Sequence, residues 1–251
     1  MTSPRALDFS QPIGNIAAAC PDLLPLFDDL RLDYCCRGSQ TVDAACAQAG
    51  VTPDQLRAAI AARSERAPTL EADPASLTMS ELCDDIERTH HAFVRSVFVR
   101  LTPMLVRIVA SHGQHDPSFA RIQSALQELE ADMLDHMVRE ERVLFPWLRR
   151  LEQPTAVHTG PPWSVRRPID CMVHDHDAVS NALNKLRVLT NGYTPPANTC
   201  GSVAAAFGLL KELEADTRRH IHKENNILFP RGVRAEASRD QRTRPRPCCS
   251  A

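Results

Sequence analysis

The chain has 251 residues, which is enough for one large domain or two small ones with a full hydrophobic core. Its 29 basic and 31 acidic side chains nearly balance, so net charge favours neither a nucleic acid nor a membrane surface as a partner. No run approaches the ~20 apolar residues of a membrane span, and the first residues lack a signal-peptide pattern. Nine cysteines, an odd number without a disulfide framework, favour a reduced, cytoplasmic protein.

Residues 1–66 form the first predicted unit, a small helical N-terminal domain. Scattered apolar positions occur on both sides of a polar turn at residues 33–40, which contains the adjacent Cys35 and Cys36. Two prolines in residues 67–77 discourage helix continuation, so this stretch is predicted to be a linker.

Residues 78–234 form the second predicted unit, in which proline-rich or Asn-Gly breaks separate long helical segments. The first segment starts at Thr78 and Glu81, which have the spacing of a capping box. The predicted helices cover residues 78–112, 116–150, 169–190 and 199–229. With no strand pattern, this organisation is typical of an all-α, up-down-up-down four-helix bundle. The polar, basic residues 235–251 are predicted to form a disordered tail.

One string, His-x-x-x-Glu-x-x-x-Leu-Phe-Pro, occurs twice in the predicted bundle. It starts at His136 and again, 84 residues later, at His220. Residues four apart share one face of a helix, so each copy presents an imidazole beside a carboxylate, Glu140 or Glu224. Apart from Thr217, the rest of each face is apolar, and burying an unpaired carboxylate is costly. Two such pairs facing each other across a bundle predict a site for a metal pair.

The other two helices are expected to supply further imidazoles. His176 lies on the apolar stripe of the third predicted helix, whereas His174 lies off it. On the first helix, His90 and His91 can each be joined to an apolar stripe. The internal repeat favours His91, which precedes His176 by 85 residues, and His90 stays an alternative. The remaining histidines are expected at the surface or beside the site: His112, His115, His158 and His222.

The predicted ligand set contains four histidines and two glutamates: His91, His136, Glu140, His176, His220 and Glu224. Each carboxylate could bridge two ions, which leaves two imidazoles per ion and open positions for a small ligand. Nitrogen and oxygen donors without a thiolate favour two iron ions over a structural zinc. A single inward histidine would fit an ordinary core, whereas a repeated histidine–glutamate pair on an apolar face would not.

Together these motifs resemble the hemerythrin-like di-iron proteins, and among them the RIC (repair of iron centres) family. The N-terminal mark is Asp33-Tyr-Cys-Cys-Arg-Gly-Ser-Gln40, and the bundle marks are the two repeated strings with Thr194-Pro-Pro196 and Met172-x-x-x-His176-Asp. The resemblance covers nearly the whole chain, and the iron ligands of the family fall on the same six positions. It implies a cytoplasmic protein that repairs iron–sulfur clusters damaged by nitrosative or oxidative stress, by supplying iron from a labile centre.

The adjacent Cys35 and Cys36 are candidates for a thiol role, such as exchange, acceptance of iron or sulfur, or reaction with nitric oxide. The alternative is that one thiol packs into the small domain and the other has no role. A disulfide between neighbouring residues would be strained and easily reduced. No role is assigned to Cys248 and Cys249.

Other functions of the same iron pair stay open at this point. Reversible binding or sensing of nitric oxide or dioxygen would suit its open positions, and so would nitric oxide reduction. The expected partners are damaged iron–sulfur proteins and these small ligands, with no nucleic acid and no membrane. The sequence is also compatible with a homodimer.

Overall fold

The computed structural model describes four stretches of the chain: residues 8–63, 74–153, 164–197 and 199–243. Within them every regular element is helical, and the only strand-like feature is a bridge between Pro12 and Thr41. The predicted all-α fold is confirmed. No helix of the described stretches is long and apolar enough to cross a membrane. Most of the predicted linker, with His158, Cys248 and Cys249, lies outside the described residues.

Four short helices build the N-terminal part within residues 8–63. They are α1 Ile13–Ala19, α2 Leu24–Asp29, α3 Val42–Ala49 and α4 Pro53–Arg63, with a 3-10 turn at Pro21–Leu23. Thr41 caps α3 by accepting a hydrogen bond from the Ala44 amide, and Gly50 ends the helix with a φ of 70°. The turn before α3 is less polar than predicted, because Tyr34 and Cys35 are buried in it.

Four long helical rods form the bundle. The first consists of α5 Met79–Asp85, a π-helical turn Ile86–His91 and α6 Ala92–His112, after a 3-10 turn at Pro74–Ser76. The second consists of α7 Ser118–Arg139, a π turn Glu140–Leu144 and α8 Phe145–Glu152. The third is α9 Arg166–Leu189. The fourth consists of α10 Gly201–His222, a π turn Lys223–Leu228 and α11 Phe229–Thr243. Contacts of α6 with α7, α7 with α9, α9 with α10 and α10 with α6 close the four rods into a ring.

The predicted capping box starts the first rod. The Thr78 hydroxyl accepts a hydrogen bond from the Glu81 amide, and the Glu81 carboxylate accepts one from the Thr78 amide. The carboxylate of Glu152 accepts two more bonds, from the amides of Met79 and Ser80. The first rod is thereby tied at its start to the end of the second.

The fourth rod is longer than predicted. The sequence pattern ends it at residue 229, but α11 continues to Thr243 because Pro230 falls in its first turn, where a missing N–H breaks no helical bond. Arg239 holds the extension by donating hydrogen bonds to carbonyls at the end of α8. The predicted disordered tail is therefore wrong for residues 235–243, and the rest of that tail lies outside the described residues.

Two hydrophobic clusters fill the described interior. The larger joins the N-terminal helices to the bundle through residues such as Phe27, Tyr34, Phe98 and Leu210. The smaller contains residues such as Leu82, Phe145, Leu148 and Phe229. Along the first rod the boundary falls between Ile86 of the smaller cluster and Val94 of the larger. The predicted ligands of all four rods lie at this boundary, so apolar packing encloses them on both sides.

Candidate metal centre

Six buried polar side chains converge between the two clusters. They are the six predicted ligands: His91, His136, Glu140, His176, His220 and Glu224. None of them is more than 1% exposed. Both repeated strings and both isolated histidine positions therefore meet at one place in the bundle.

The imidazoles form two pairs, one for each expected ion. The Nε2 atoms of His91 and His220 lie 3.3 Å apart, and those of His136 and His176 lie 3.1 Å apart. Two nitrogens that each sit ~2.1 Å from one ion are separated by roughly 3.0–3.4 Å in octahedral or tetrahedral geometry. Each pair thus has the spacing needed to bind a single ion.

The two glutamates divide their oxygens between the imidazole pairs. Glu140 Oε2 lies 3.4 Å from His91 Nε2, while Glu140 Oε1 lies 3.2 Å from His136 Nε2. Glu224 Oε1 lies 3.1 Å from His220 Nε2, and Glu224 Oε2 lies 3.1 Å from His176 Nε2. Carboxylates in this arrangement can bridge two ions, so each ion would receive two nitrogens and two oxygens.

The charge balance of this cluster calls for cations. The four carboxylate oxygens of Glu140 and Glu224 accept no hydrogen bond within the described residues, and an unpaired buried carboxylate is strongly unfavourable. Burial lowers the pKa of His136, but the adjacent Glu140 charge raises it, to about 9. Burial and the charge of Glu224 raise the pKa of Glu140, but the imidazoles, His136 first, hold it below its usual value. The two buried carboxylates therefore depend on positive charge beside them, which metal ions would supply.

Three of the four rods widen into a π turn at the centre. The turns at Ile86–His91, Glu140–Leu144 and Lys223–Leu228 each contain one or more of the converging residues. Such turns are rare and occur often at functional sites, because the extra residue redirects the side chains that follow. Sequence periodicity did not predict them. The prolines that follow two of the turns are the available signal, since a proline cannot donate a helical hydrogen bond.

Outer hydrogen bonds orient three of the imidazoles. His91 Nδ1 lies 2.7 Å from Glu141, and His176 Nδ1 lies 2.9 Å from the Asn225 side-chain oxygen. His136 Nδ1 lies 3.5 Å from Asp175 Oδ2. Partners of this kind fix the tautomer, so that the other nitrogen faces the metal. The Nδ1 of the fourth imidazole, His220, has no hydrogen-bond partner among the described residues.

Each copy of the repeated string also places a phenylalanine ring against one of the converging imidazoles. Phe145 of the first Leu-Phe-Pro string stacks on His91, with ring centres 5.8 Å apart and planes 15° apart. Phe229 of the second string stacks on His176 at 6.0 Å and 1°. Each half of the bundle thus supports its own imidazole with its own phenylalanine.

His90, the alternative ligand on the first rod, points elsewhere. It is buried, but its Nδ1 lies 2.9 Å from Asp216 and its ring stacks on the outer side of the centre, 5.8 Å from the ring of His220. It belongs to neither group of converging donors. His174 is exposed, as expected. His222 is buried against the edge of the Tyr34 ring, which the sequence did not indicate.

The different positions of His90 and His91 predict different effects on bound iron when each is replaced. We expect His91→Ala to lose most of the bound iron, because one ion then keeps a single imidazole, whereas His90→Ala keeps about two irons per chain. Elemental analysis and the absorption of an oxo-bridged iron pair measure both variants. The opposite ranking would move the ligand to His90.

The two adjacent cysteines lie beside the centre. Cys36 Sγ is 2.9 Å from Ser180 Oγ and 3.8 Å from the carbonyl oxygen of His176. The Cys35 thiol donates a hydrogen bond to Cys36 Sγ at 4.0 Å. That bond and burial raise the pKa of Cys35, while the same bond, with one from Ser180, lowers the pKa of Cys36 despite its burial. Cys36 is therefore the more readily ionised thiol.

Two asparagines after the second glutamate hold this cysteine loop. The side-chain oxygen of Asn225 contacts His176 Nδ1, and its nitrogen donates to the Cys35 carbonyl at 3.4 Å. Asn226 donates to the carbonyls of Tyr34 and Cys35, at 3.1 Å each. The N-terminal domain is thus hydrogen-bonded to the residues that directly follow Glu224.

Comparison with known families agrees with this architecture. A family model described as Hemerythrin HHE cation binding domain matches residues 81–231. A second model, described as a Domain of Unknown function (DUF542), matches residues 9–64. A relative from Dickeya chrysanthemi (strain Ech1591), named iron-sulfur cluster repair protein YtfE, is 30% identical over 226 residues, which are 90% of this chain and 98% of the relative.

Two other relatives carry the same name. One from Escherichia coli O81 (strain ED1a) is 30% identical over 226 residues, and one from Musicola paradisiaca (strain Ech703) is 29% identical over 225. These alignments cover 90% of this chain, with 98% and 97% of the relatives. The chain belongs to the RIC family of hemerythrin-like proteins. The resemblance seen in the sequence is confirmed, and with it an iron pair as the cofactor.

Proposed function

We propose that this protein repairs iron–sulfur clusters by supplying iron from a pair of ions. The proposed ligands are His91 and His220 for one ion, His136 and His176 for the other, and Glu140 and Glu224 for both. The observation that carries the proposal is the division of each glutamate's oxygens between the two imidazole pairs. The names of the relatives support cluster repair as the use of the iron.

The donor set favours release as well as binding. Four protein donors per ion leave positions at which incoming ligands can displace the outgoing ones. The Nδ1 of His220 has no hydrogen-bond partner among the described residues. Such partners strengthen metal binding about 10–100-fold in typical sites.

Reactivation of a damaged enzyme tests the proposal. Iron-loaded protein is mixed with an iron–sulfur dehydratase inactivated by nitric oxide, in the presence of a sulfide source and a thiol reductant and without free iron. We expect activity to return in proportion to the iron supplied, because the dehydratase cluster is rebuilt from it. A chelator that removes only free iron should not abolish the effect, and the metal-free protein should have none. Full iron loading without any recovery of activity would contradict the proposal.

The nitric oxide or dioxygen alternatives concern the same ions and their open positions. The names of the relatives support repair, and they do not bear on gas binding or reduction. Reversible nitric oxide binding at constant iron content, without reactivation of the dehydratase, would favour a binding role. Release of nitrous oxide with a reductant would favour reduction.

A reducing, cytoplasmic location is also part of the proposal. The seven cysteines in the described part of the chain are all free thiols, as expected where thiols stay reduced.

A further inference from the structure

A second group of metal-binding side chains lies in the loop before α3. Donor atoms of Asp33, Cys35 and Cys36 all lie within 4.8 Å of one another, although none of these residues belongs to the centre described above. The Cys35 Sγ is 3.4 Å from Asp33 Oδ1. Cys35 is buried, whereas Asp33 and Cys36 are half-buried, so this group lies nearer to solvent than the enclosed centre in the bundle.

The spacing of the two sulfur atoms suits chelation. They lie 4.0 Å apart, about twice the length of a disulfide bond. Two thiolates bound tetrahedrally to one ion at ~2.3 Å are separated by roughly 3.8 Å. Adjacent residues in this loop can therefore bind the same ion with a shift of only a few tenths of an ångström.

The loop is held in this conformation by the protein. The amides of Cys36 and Arg37 donate hydrogen bonds to Asp33 Oδ1, at 3.0 and 3.3 Å. A Cβ on Gly38 would lie 2.1 Å from Asn226 Oδ1, so the loop packs too closely on the bundle to admit a side chain there. The chelating residues are thus positioned before any metal arrives.

The loop also adjoins the bundle centre. Cys36 Sγ lies 3.8 Å from the carbonyl of His176, and Asn225 contacts both the Nδ1 of that histidine and the Cys35 carbonyl. A metal leaving an enclosed site at most 1% exposed needs a nearby set of donors that also reaches solvent. Among the described residues, the cysteine loop meets both conditions.

We propose that Asp33, Cys35 and Cys36 form a third metal site, which binds a divalent thiophilic ion and passes iron(II) from the bundle to an acceptor protein. Two thiols each lose a proton as one ion binds. The iron that moves is iron(II) from the reduced, diferrous pair, so the transfer step itself needs no electron, and an oxo-bridged diferric pair is first reduced by an external one-electron donor. Three protein donors leave one tetrahedral position for a thiolate or sulfide of the acceptor. The direction of transfer rests on the proposed repair function, whereas the site itself does not.

Cobalt(II) is the probe for this site, because thiolate ligation produces an intense charge-transfer absorption. The full chain, loaded with its iron pair, is titrated with cobalt(II). We expect one further ion per chain with this absorption, and we expect Cys35→Ser/Cys36→Ser to abolish it while the absorption of the iron pair is kept. Asp33→Asn should retain the absorption and bind cobalt at least about tenfold more weakly, since a charged ligand is lost.

Cysteines elsewhere provide the controls. Cys171→Ser/Cys200→Ser removes two exposed thiols and should leave the cobalt spectrum unchanged. A thiolate absorption that survives in Cys35→Ser/Cys36→Ser, or that only Cys248→Ser/Cys249→Ser removes, would overturn the proposal. So would the absence of any such absorption in the native chain. Normal cobalt binding without dehydratase reactivation would instead count against the repair function alone.

Discussion

Replacing both shared glutamates, as Glu140→Gln with Glu224→Gln, should reduce bound iron from about two ions per chain to almost none. Each carboxylate directs one oxygen to each imidazole pair, so the double variant removes both anionic ligands from both ions. An amide carries no charge and offers a single acceptor oxygen. Four imidazoles alone would then have to hold two cations in a site closed to water, where uncompensated charge is strongly unfavourable.

The iron content of each single variant should lie between about two ions per chain and almost none. Glu140→Gln leaves Glu224 to bridge, so partial loading with weakened affinity is expected. Iron content and the absorption of the oxo-bridged pair measure the series, and circular dichroism checks that the variants keep their helices. Full iron loading of the double variant would show that the glutamates are not ligands.

Glu214 provides a matched control for the loss of a buried carboxylate. It is 6% exposed, but its oxygens are paired with the Arg187 guanidinium, 2.7 Å away, and with the Tyr193 hydroxyl. Glu214→Gln should lower the stability of the protein and leave its iron content at about two per chain. Iron loss in this variant would mean that metal content reports stability rather than ligation.

The convergence of the proposed ligands on the repeated strings could be predicted from sequence because their geometry is local. His136 and Glu140 are four residues apart, and α7 stays regular up to Arg139, so one turn of helix brings them together. His176 followed from the apolar stripe of α9, which has no π turn. The first rod was ambiguous because its two histidines lie inside a π turn, where the usual spacing of apolar residues does not apply.

Features that depend on tertiary contacts could not be read from the sequence. Tyr34 lies in a polar octapeptide, yet it is buried because the bundle supplies Arg218 and His222 to contact its ring. The extension of α11 depends in the same way on Arg239 and the carbonyls of a distant helix. Periodicity describes which face of a helix is apolar, and it does not describe which partner a polar side chain finds.

Arg218 joins the two domains through several polar contacts. Its side chain is 12% exposed, and its guanidinium donates to the Leu32 carbonyl at 2.6 Å. The Nε lies 3.3 Å from Asp28, and the group sits over the Tyr34 ring, 5.1 Å from its centre. The Tyr34 hydroxyl completes the network by donating to Asp28 at 3.1 Å. One arginine of α10 thus satisfies three groups of the N-terminal domain.

We expect Arg218→Ala to lower the free energy of unfolding by about 3–5 kcal/mol, because it leaves the Asp28 carboxylate buried without its cation. Burial already raises the pKa of Asp28, even though Arg218 opposes the shift. Without the arginine the pKa should rise further. An acid whose pKa is raised by folding stabilises the protein at low pH and loses that contribution as the pH rises. The decrease in the free energy of unfolding caused by Arg218→Ala should therefore be smaller near pH 4 than near pH 8.

Denaturant unfolding at several pH values measures this effect against Lys185→Ala. Lys185 pairs with Glu128 at 2.8 Å on the surface, with both side chains more than half exposed, so its loss should cost at most about 1 kcal/mol. Adding Asp28→Asn to Arg218→Ala should restore part of the stability, because it removes the stranded charge. Equal decreases in the free energy of unfolding for Arg218→Ala and Lys185→Ala would contradict a buried ion pair between Arg218 and Asp28. Because Arg218 contacts the Leu32 carbonyl and the Tyr34 ring beside the cysteine loop, Cys36 should also react faster with thiol reagents in Arg218→Ala. The iron pair, whose proposed ligands all lie on the bundle, should be retained.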